Sequence, residues 1–230
     1  MSTVLGVELR ARMSEGTNNT AGLYDLVKHL VISHHSGGGV VVDFGCGQGT
    51  LYSYLREHFH RYIGIDIVRY ESFPEDSRVE FYEVDLDCSK VNLPDGLAEV
   101  VYCLETIEHV ENPRALMREL VRLAKPGGSI IVSTPNQLSL LSKLCLLFKN
   151  EFVHFQERRG LYPAHLSVLL EVDLARLARE NALTHVKVAY TCEGRMPLTA
   201  RHWPTSLTAR SGWRGRAFSD NVILFGRKAV

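Results

Sequence analysis

The chain has 230 residues, and its 26 Lys and Arg residues balance its 26 Asp and Glu residues. The composition, 45% hydrophobic and 23% charged, is that of a soluble globular protein and excludes a disordered chain, a collagen-like repeat and a coiled coil. Zero formal net charge disfavours non-specific nucleic-acid binding, which depends on neutralising many phosphates.

The sequence also bears on the compartment. We find no stretch near the roughly 18 apolar residues of a membrane helix, and the N-terminus lacks the apolar core of a secretory signal. The five cysteines are scattered, as expected for buried thiols in a reducing environment. We therefore expect a cytoplasmic protein that does not associate with membranes. Its oligomeric state is left open.

Short apolar runs alternate with helical patterns along the chain, which predicts an α/β fold with a parallel sheet covered on both faces. The predicted strands are 39–44, 61–66, 79–84, 99–104, 129–133, 186–191 and 221–226. The predicted helices are 22–34, 51–58, 113–124 and 172–181, the third of which stops at Lys125-Pro126-Gly127-Gly128. We expect one domain, 1–230, with an N-terminal helical segment in 1–36 and a substrate lid in 137–170.

The first predicted strand runs into a glycine-rich turn, Asp43-Phe44-Gly45-Cys46-Gly47-Gln48-Gly49-Thr50. Glycines here allow a tight turn and let a ligand approach the backbone. The dinucleotide fingerprint G-x-G-x-x-G fits poorly, because the third glycine comes one residue early. Asp43 also suits a cationic or polar ligand better than a pyrophosphate.

Acidic residues mark the ends of the next two predicted strands. Asp66 ends the second strand, at the distance from the glycine turn where a carboxylate can take both hydroxyls of a ribose. Asp85 follows the third strand, where it can meet an adenine edge. Taken singly, each acid could instead cap a helix.

The stretches VVDFGCGQGTL, YIGID, VDL and LETIEHVENPRALMRELVRLAKPGGSIIVSTPN resemble class I S-adenosylmethionine-dependent methyltransferases over about residues 39–136. The resemblance implies a Rossmann-like, seven-stranded, mostly parallel sheet with helices on both faces and an antiparallel last strand. It implies S-adenosylmethionine as the cofactor, with its methionine part at the glycine loop, its ribose at Asp66 and its adenine at Asp85. The residues it assigns to the cofactor are Asp43, Gly45, Cys46, Gly47, Gly49, Asp66, Ile67, Asp85, Leu86 and Leu104.

A second group of polar residues follows the fourth predicted strand. If this segment is helical, Glu105, Glu108 and His109 share one face. Such a half-site suits Mg²⁺, Mn²⁺, Fe²⁺ or Co²⁺, with a further ligand from His154 or His165. The alternatives are a metal-free general base at His109, or ordinary helix acids with no role in chemistry.

The E-x-x-E-H pattern is similar to that of ubiquinone-pathway catechol O-methyltransferases and of small-RNA 3′-terminal ribose 2′-O-methyltransferases, and also to bacterial biosynthetic-cluster methyltransferases. This resemblance implies a metal set of Glu105, Glu108, His109 and His165. We predict in-line methyl transfer to a small-molecule hydroxyl, with His109 as the catalytic base. The alternatives are 2′-O-methylation of an RNA 3′ end, N- or C-methylation, and a non-catalytic module that keeps the cofactor fold.

Charge is distributed unevenly along the chain. Residues 66–120 contain 14 acidic and five basic residues, whereas residues 195–230 contain seven basic residues and one acid. The second region also holds Trp203 and Trp213, and basic residues interleaved with aromatics can hold a phosphate, a carboxylate or an RNA end. The alternative is an arginine-rich solvated loop.

Overall fold

The computed structural model describes residues 22–35, 37–87, 90–156, 165–191, 194–197, 199, 201–204 and 215–230. Its strands are β1 (Val40–Phe44), β2 (Arg61–Asp66), β3 (Val79–Glu83), β4 (Ala98–Leu104), β5 (Ala124–Pro135), β6 (Thr184–Tyr190) and β7 (Asn221–Arg227). Its α-helices are α1 (Leu23–Ile32), α2 (Thr50–Leu55), α3 (Pro113–Leu123), α4 (Leu140–Lys149) and α5 (Glu171–Glu180), and a 3₁₀ turn spans Ile107–His109.

The strands form one seven-stranded sheet in the order β3-β2-β1-β4-β5-β7-β6. The first five strands in this order are parallel to one another, and β7 runs antiparallel to both β5 and β6. The predicted mixed, mostly parallel sheet is therefore confirmed. The order reverses at β1 and β4, so the carboxyl ends of these central strands border the crevice where open α/β sheets bind ligands.

Two apolar layers cover the sheet, because successive side chains of a strand point to opposite faces. Val41 and Val100 pack on one face with α1 and α2. Val42 and Val101 pack on the other face with α3 and α5. This burial on both sides explains why the central strands are almost continuously apolar.

The boundary between α3 and β5 differs from the prediction. Asn112 caps α3 by accepting a hydrogen bond from the Ala115 N–H at 3.0 Å, and Pro113 opens the helix as expected. The strand, however, begins at Ala124 and includes the Pro-Gly-Gly sequence that we expected to separate the two elements. Ala124 pairs with Ala98, and the register shift before Val100 absorbs the irregular residues. Pairing with β4 therefore stops at Ala124 and resumes at Ser129, with the Pro-Gly-Gly sequence in the irregular stretch between them.

The predicted N-terminal segment and the predicted lid are each described in part. Residues 22–35 of the N-terminal segment contain α1, and the remainder of 1–36 lies outside the described residues. The predicted lid, 137–170, contains α4, and residues 157–164 lie outside the description. Across the described part of the chain, no helix has the length and apolar character needed to cross a bilayer.

Candidate functional site

The glycine loop connects β1 to α2 at the carboxyl end of the sheet. Gly45, Gly47 and Gly49 all have positive φ angles, of 69°, 52° and 73°. A Cβ atom on Gly45 would lie 2.0 Å from Thr106 Oγ1, so this position needs glycine for space as well as for conformation. The sequence pattern thus brings the loop backbone directly against the segment that follows β4.

Asp66, at the end of β2, faces the glycine loop. Its Oδ2 atom accepts a hydrogen bond from the Gly47 N–H at 2.7 Å, and its Oδ1 atom accepts one from the Ile67 N–H at 2.7 Å. Burial raises the pKa of Asp66, and these backbone donors oppose that shift. The carboxylate is therefore held in a fixed orientation at the loop.

Asp43 is buried within β1 and accepts a hydrogen bond from the Tyr62 hydroxyl at 2.5 Å. Burial raises its pKa to about 7, an effect that the Tyr62 bond opposes and the nearby Asp66 charge increases. Asp43 also lines a small cavity beneath the loop. The residues around this cavity are Leu23, Tyr24, Asp43, Gly45, Cys46, Leu104 and Glu105.

The remaining predicted cofactor residues follow β2 and β3. Ile67 is half-buried beside Asp66. Asp85 is half-buried and accepts a hydrogen bond from the Asp87 N–H at 3.1 Å. Leu86 packs against the apolar cluster under α3. The carboxyl ends of neighbouring parallel strands thus bring Asp66 and Asp85 to the same edge of the sheet.

The segment after β4 is not helical at Glu105, so the expectation of one shared helical face was wrong. Glu105 has a φ angle of 52°, and the 3₁₀ turn begins only at Ile107. The Glu105 N–H donates to the carbonyl oxygen and to Oγ of Ser133, at 3.3 Å and 3.0 Å. The Ser133 hydroxyl donates to Glu105 Oε1 at 2.8 Å. These ties to β5 turn Glu105 away from the helical geometry.

Glu108, His109 and His165 form a compact cluster beside this segment. One ligating atom from each residue can be chosen so that all three lie within 4.8 Å of one another, and the two imidazole rings are 4.6 Å apart. The Glu108 side chain is wholly buried, and neither carboxylate oxygen has a hydrogen-bond partner among the described residues. Three of the four predicted metal ligands are therefore together, whereas Glu105 lies outside this cluster.

The distant His165 reaches the cluster through backbone hydrogen bonds. The Glu108 carbonyl oxygen accepts from the N–H groups of Leu166 and Ser167, at 2.8 Å and 3.0 Å. His165 Nε2 lies 3.9 Å from Glu108 Oε1. The peptide that follows His165 is thus anchored on the 3₁₀ turn, which explains how a residue so far along the chain joins the site.

The two glutamates of this region have perturbed acidities. Burial raises the pKa of Glu108 well above its ordinary range, and the charge of Glu105 raises it further. Burial also raises the pKa of Glu105 to about 7, against the opposing hydrogen bond from Ser133. A buried carboxylate of this kind binds a proton or a cation, because a bare charge there is costly.

His154, the other candidate ligand, lies at the margin of the cluster. Its ring is 5.9 Å from that of His165, and its Nε2 atom is 3.0 Å from Nη2 of Arg195. Arg195 also pairs with Asp220 at 2.8 Å. Arg216, at the other end of the basic stretch, pairs with Glu171. These two arginines of the stretch therefore already have acidic partners.

Two residues of this region were missed in the sequence. Tyr24, on α1, lines the cavity and stacks on Tyr54 with ring centroids 5.3 Å apart. Ser133 holds Glu105 from β5. Nothing in the local pattern distinguishes Tyr24 from the other residues of an amphipathic helix, and Ser133 reads as part of an apolar strand. Both gain their role from the packing of distant elements.

The profile of the methyltransferase domain family matches residues 14–188, which is more than half of the chain. The chain belongs to this family. Together with the sheet order, the match makes it a class I S-adenosylmethionine-dependent methyltransferase. The resemblance inferred from the glycine loop and the acidic strand ends is confirmed.

Among curated proteins, the chain is similar to a ubiquinone biosynthesis O-methyltransferase of Pseudomonas paraeruginosa, at 32% identity over 107 residues. This match covers 44% of the chain and 46% of the relative, so the chain spans about half the length of the curated relatives it matches.

Two solved structures share the fold. One is a chain of the complex between the Haloferax volcanii Trm112 methyltransferase activator and a methyltransferase, with a TM-score of 0.66 at 15% identity, covering 97% of this chain and 98% of that one. The other is the 1,6-didemethyltoxoflavin-N1-methyltransferase of Burkholderia thailandensis, solved with its substrate and S-adenosylhomocysteine. It has a TM-score of 0.61 at 16% identity and covers 98% of this chain and 89% of that one.

Proposed function

We propose that this enzyme transfers a methyl group from S-adenosylmethionine to the oxygen of a small-molecule hydroxyl. The observation that carries the proposal is the cluster of Glu108, His109 and His165 at the 3₁₀ turn that follows β4. A hydroxyl must lose its proton during methylation, and an imidazole is suited to accept it near neutral pH. The similarity to a ubiquinone biosynthesis O-methyltransferase supports an oxygen acceptor.

The residues at the loop fit the cofactor. Asp66 presents a fixed carboxylate for the ribose hydroxyls, and Asp85 with Leu86 is suited to the adenine. Gly45, Gly47 and Gly49 expose loop backbone to the methionine part. The full set that we assign to the cofactor is Asp43, Gly45, Cys46, Gly47, Gly49, Asp66, Ile67, Asp85, Leu86 and Leu104.

Bound S-adenosylmethionine supplies a methyl group already activated by the sulfonium. The chain's own contribution is then to align the acceptor and to take its proton. Alignment of two reactants can contribute roughly 7–11 kcal/mol in favourable cases. We assign the proton to an imidazole nitrogen of His109, whose ring is held against His165.

A divalent cation is a second element of the proposal, favoured by the buried Glu108 carboxylate, whose oxygens have no hydrogen-bond partner of ordinary geometry within the described part of the chain. We assign its ligands to Glu108, His109 and His165; with the cation bound, His109 acts as a ligand in place of its role as the base. One carboxylate and two imidazoles suit Mn²⁺, Fe²⁺ or Co²⁺ better than Mg²⁺, which prefers oxygen ligands. A cation there would lower the pKa of the acceptor hydroxyl. Glu105, tied to Ser133, is left out of this set.

The acceptor is proposed to be apolar in part. The helix α4 belongs to the segment predicted as a substrate lid. Its Leu147 and Phe148 side chains are 71% and 77% exposed. An apolar acceptor would cover these side chains on binding. Because Arg195 and Arg216 already pair with acids, a small molecule accounts for the site better than an RNA end.

The acceptor atom is tested with S-adenosylmethionine labelled with ¹³C in its methyl group. The enzyme is incubated with a catechol, a simple phenol and a primary amine of similar size, and the products are examined by NMR. We expect an O-methyl product from the catechol or the phenol. Methylation of the amine alone would contradict the proposal. It would favour a nitrogen acceptor, the type named for the N1-methyltransferase from Burkholderia that shares the fold.

The cation is tested separately by thermal unfolding with EDTA and with Mn²⁺. We expect Mn²⁺ to raise the Tm of the wild-type protein, because a ligand that binds only the folded state stabilises it. Glu108→Gln should lose this response, whereas Glu111→Gln, an exposed glutamate nearby, should keep it. Equal responses from all three proteins would refute the assigned ligands.

A further inference from the structure

Glu105 occupies a different environment from the other acid of its motif. Its carboxylate is held by the Ser133 hydroxyl at 2.8 Å, and its backbone is in the left-handed region at φ 52°. A non-glycine residue in this conformation is strained and is kept there by its surroundings. The two hydrogen bonds of its N–H to Ser133 supply that constraint.

The strained backbone lets Glu105 line the cavity beneath the glycine loop. The same cavity is lined by Asp43, Tyr24 and Gly45. It therefore brings together a residue of α1, a residue of β1, the first loop glycine and the first residue after β4. The cluster of Glu108, His109 and His165 is a separate feature, because Glu105 is not part of it.

The polar groups of the cavity share one sign of charge. Asp43 and Glu105 each contribute a carboxyl group, and their charges, after burial, raise the pKa of Tyr24. The Tyr24 hydroxyl therefore stays protonated near neutral pH. Among the residues that line the cavity, none is Lys, Arg or His. A cationic ligand group with hydrogen-bond donors would complement this environment.

We propose that Glu105 is a specificity residue of the cofactor site, which binds the ammonium group of the methionine part of S-adenosylmethionine. This inference rests on the proposed placement of the cofactor at the glycine loop. The cavity lies at Gly45 and Cys46, which are the loop residues assigned to the methionine part. An ammonium donates charge-assisted hydrogen bonds to a carboxylate, and Ser133 fixes that carboxylate before the cofactor arrives.

The test compares two ligands that differ in the amino-acid part. S-Adenosylhomocysteine carries the ammonium, whereas 5′-methylthioadenosine keeps the nucleoside and lacks the amino-acid end. Both are titrated by calorimetry in EDTA, so that a metal cannot contribute. We expect Glu105→Gln to weaken S-adenosylhomocysteine by roughly tenfold or more and to leave 5′-methylthioadenosine unchanged. Glu111→Gln removes the same charge from an exposed position and should change neither affinity.

A second variant guards against a folding defect in Glu105→Gln. Ser133→Ala keeps the carboxylate but removes the hydroxyl that orients it, so we expect a smaller loss that is again confined to S-adenosylhomocysteine. Unchanged affinity in Glu105→Gln, or an equal loss for both ligands, would overturn the inference alone. If the wild-type protein bound neither ligand, the proposed cofactor site would fail, and the role of Glu105 with it.

Discussion

The two halves of the site are built in opposite ways. At the glycine loop, the Asp66 carboxylate receives a backbone N–H on each oxygen, and Asp43 receives the Tyr62 hydroxyl. In the cluster beyond β4, neither oxygen of the wholly buried Glu108 carboxylate makes a hydrogen bond of ordinary geometry among the described residues, and only weak bonding from Thr134 and its own backbone opposes the rise in its pKa. One half is thus satisfied by the fold itself, and the other is not.

This difference indicates which half of the site needs a bound proton or cation to offset the cost of a buried charge. A carboxylate fixed by neighbouring amides is preorganised for its ligand, at no further cost on binding. A buried carboxylate without donors costs about 1–3 kcal/mol or more until a proton or a cation reaches it. We therefore expect substitutions in the loop half to change cofactor affinity, and substitutions in the cluster to change turnover.

Replacement of His109 should have the largest effect. We expect His109→Ala to lower turnover by roughly 10²–10⁴-fold, because the acceptor loses its base or the cation loses a ligand. The affinity of His109→Ala for S-adenosylhomocysteine should stay within about twofold of the wild-type value, because substitutions at separate sites act almost independently. Steady-state kinetics and calorimetry measure the two quantities. His29→Ala, on the exposed side of α1, is the control, and a fully active His109→Ala would remove both roles.

Asp66 should dominate the loop half. We expect Asp66→Ala to weaken S-adenosylhomocysteine by roughly 100-fold, because hydrogen bonds to a charged group contribute about 1.5–3 kcal/mol each. Asp85→Ala should cost less, roughly tenfold, since Asp85 is partly exposed and has one backbone donor. Calorimetry gives both values, with circular dichroism as the check on folding. The reverse order would mean that the ribose is held elsewhere.

A pair of glycines tests whether the loop half is fixed by sterics. Gly45 and Gly96 have φ angles of 69° and 68°, but an added Cβ meets Thr106 Oγ1 at 2.0 Å in the first case and no atom nearer than 3.8 Å in the second. Gly96→Ala should lower the free energy of unfolding by about 1–2 kcal/mol from backbone strain. Gly45→Ala should lower it by about 1–3 kcal/mol more. Urea denaturation measures the free energy of unfolding of both variants. Equal losses would show that the Thr106 side chain moves aside without cost.

The most gradual effect concerns pH and Asp43. Its pKa is about 7 in the folded state, against an ordinary value of 3.8, so the folded state binds more protons between these values. Its contribution to the free energy of unfolding therefore falls as pH rises from about 4 to about 7. Asp43→Asn should gain stability relative to the wild type across this window, by roughly 1 kcal/mol per pH unit. Parallel stability curves for the two proteins would contradict the perturbed pKa.

The sequence by itself determined the order and type of most elements. The strand over residues 61–66 coincides with β2, and the alternation of apolar runs with helical patterns predicted the parallel part of the sheet, whereas the antiparallel last strand was implied only by the family resemblance. The glycine loop could also be recognised locally, because positive φ angles at Gly45, Gly47 and Gly49 restrict the residue type. These features depend on neighbours within a few residues, which is why a local pattern could predict them.

Tertiary structure alone decided the division of the site. Glu105 and Glu108 are three residues apart, yet hydrogen bonds to Ser133 on β5 hold the first at the cavity beneath the glycine loop, and the 3₁₀ turn places the second with His165. The start of β5 at Ala124 likewise depends on pairing with Ala98. Each outcome depends on hydrogen bonds between residues distant in sequence, and a local pattern of residue types does not specify those partners.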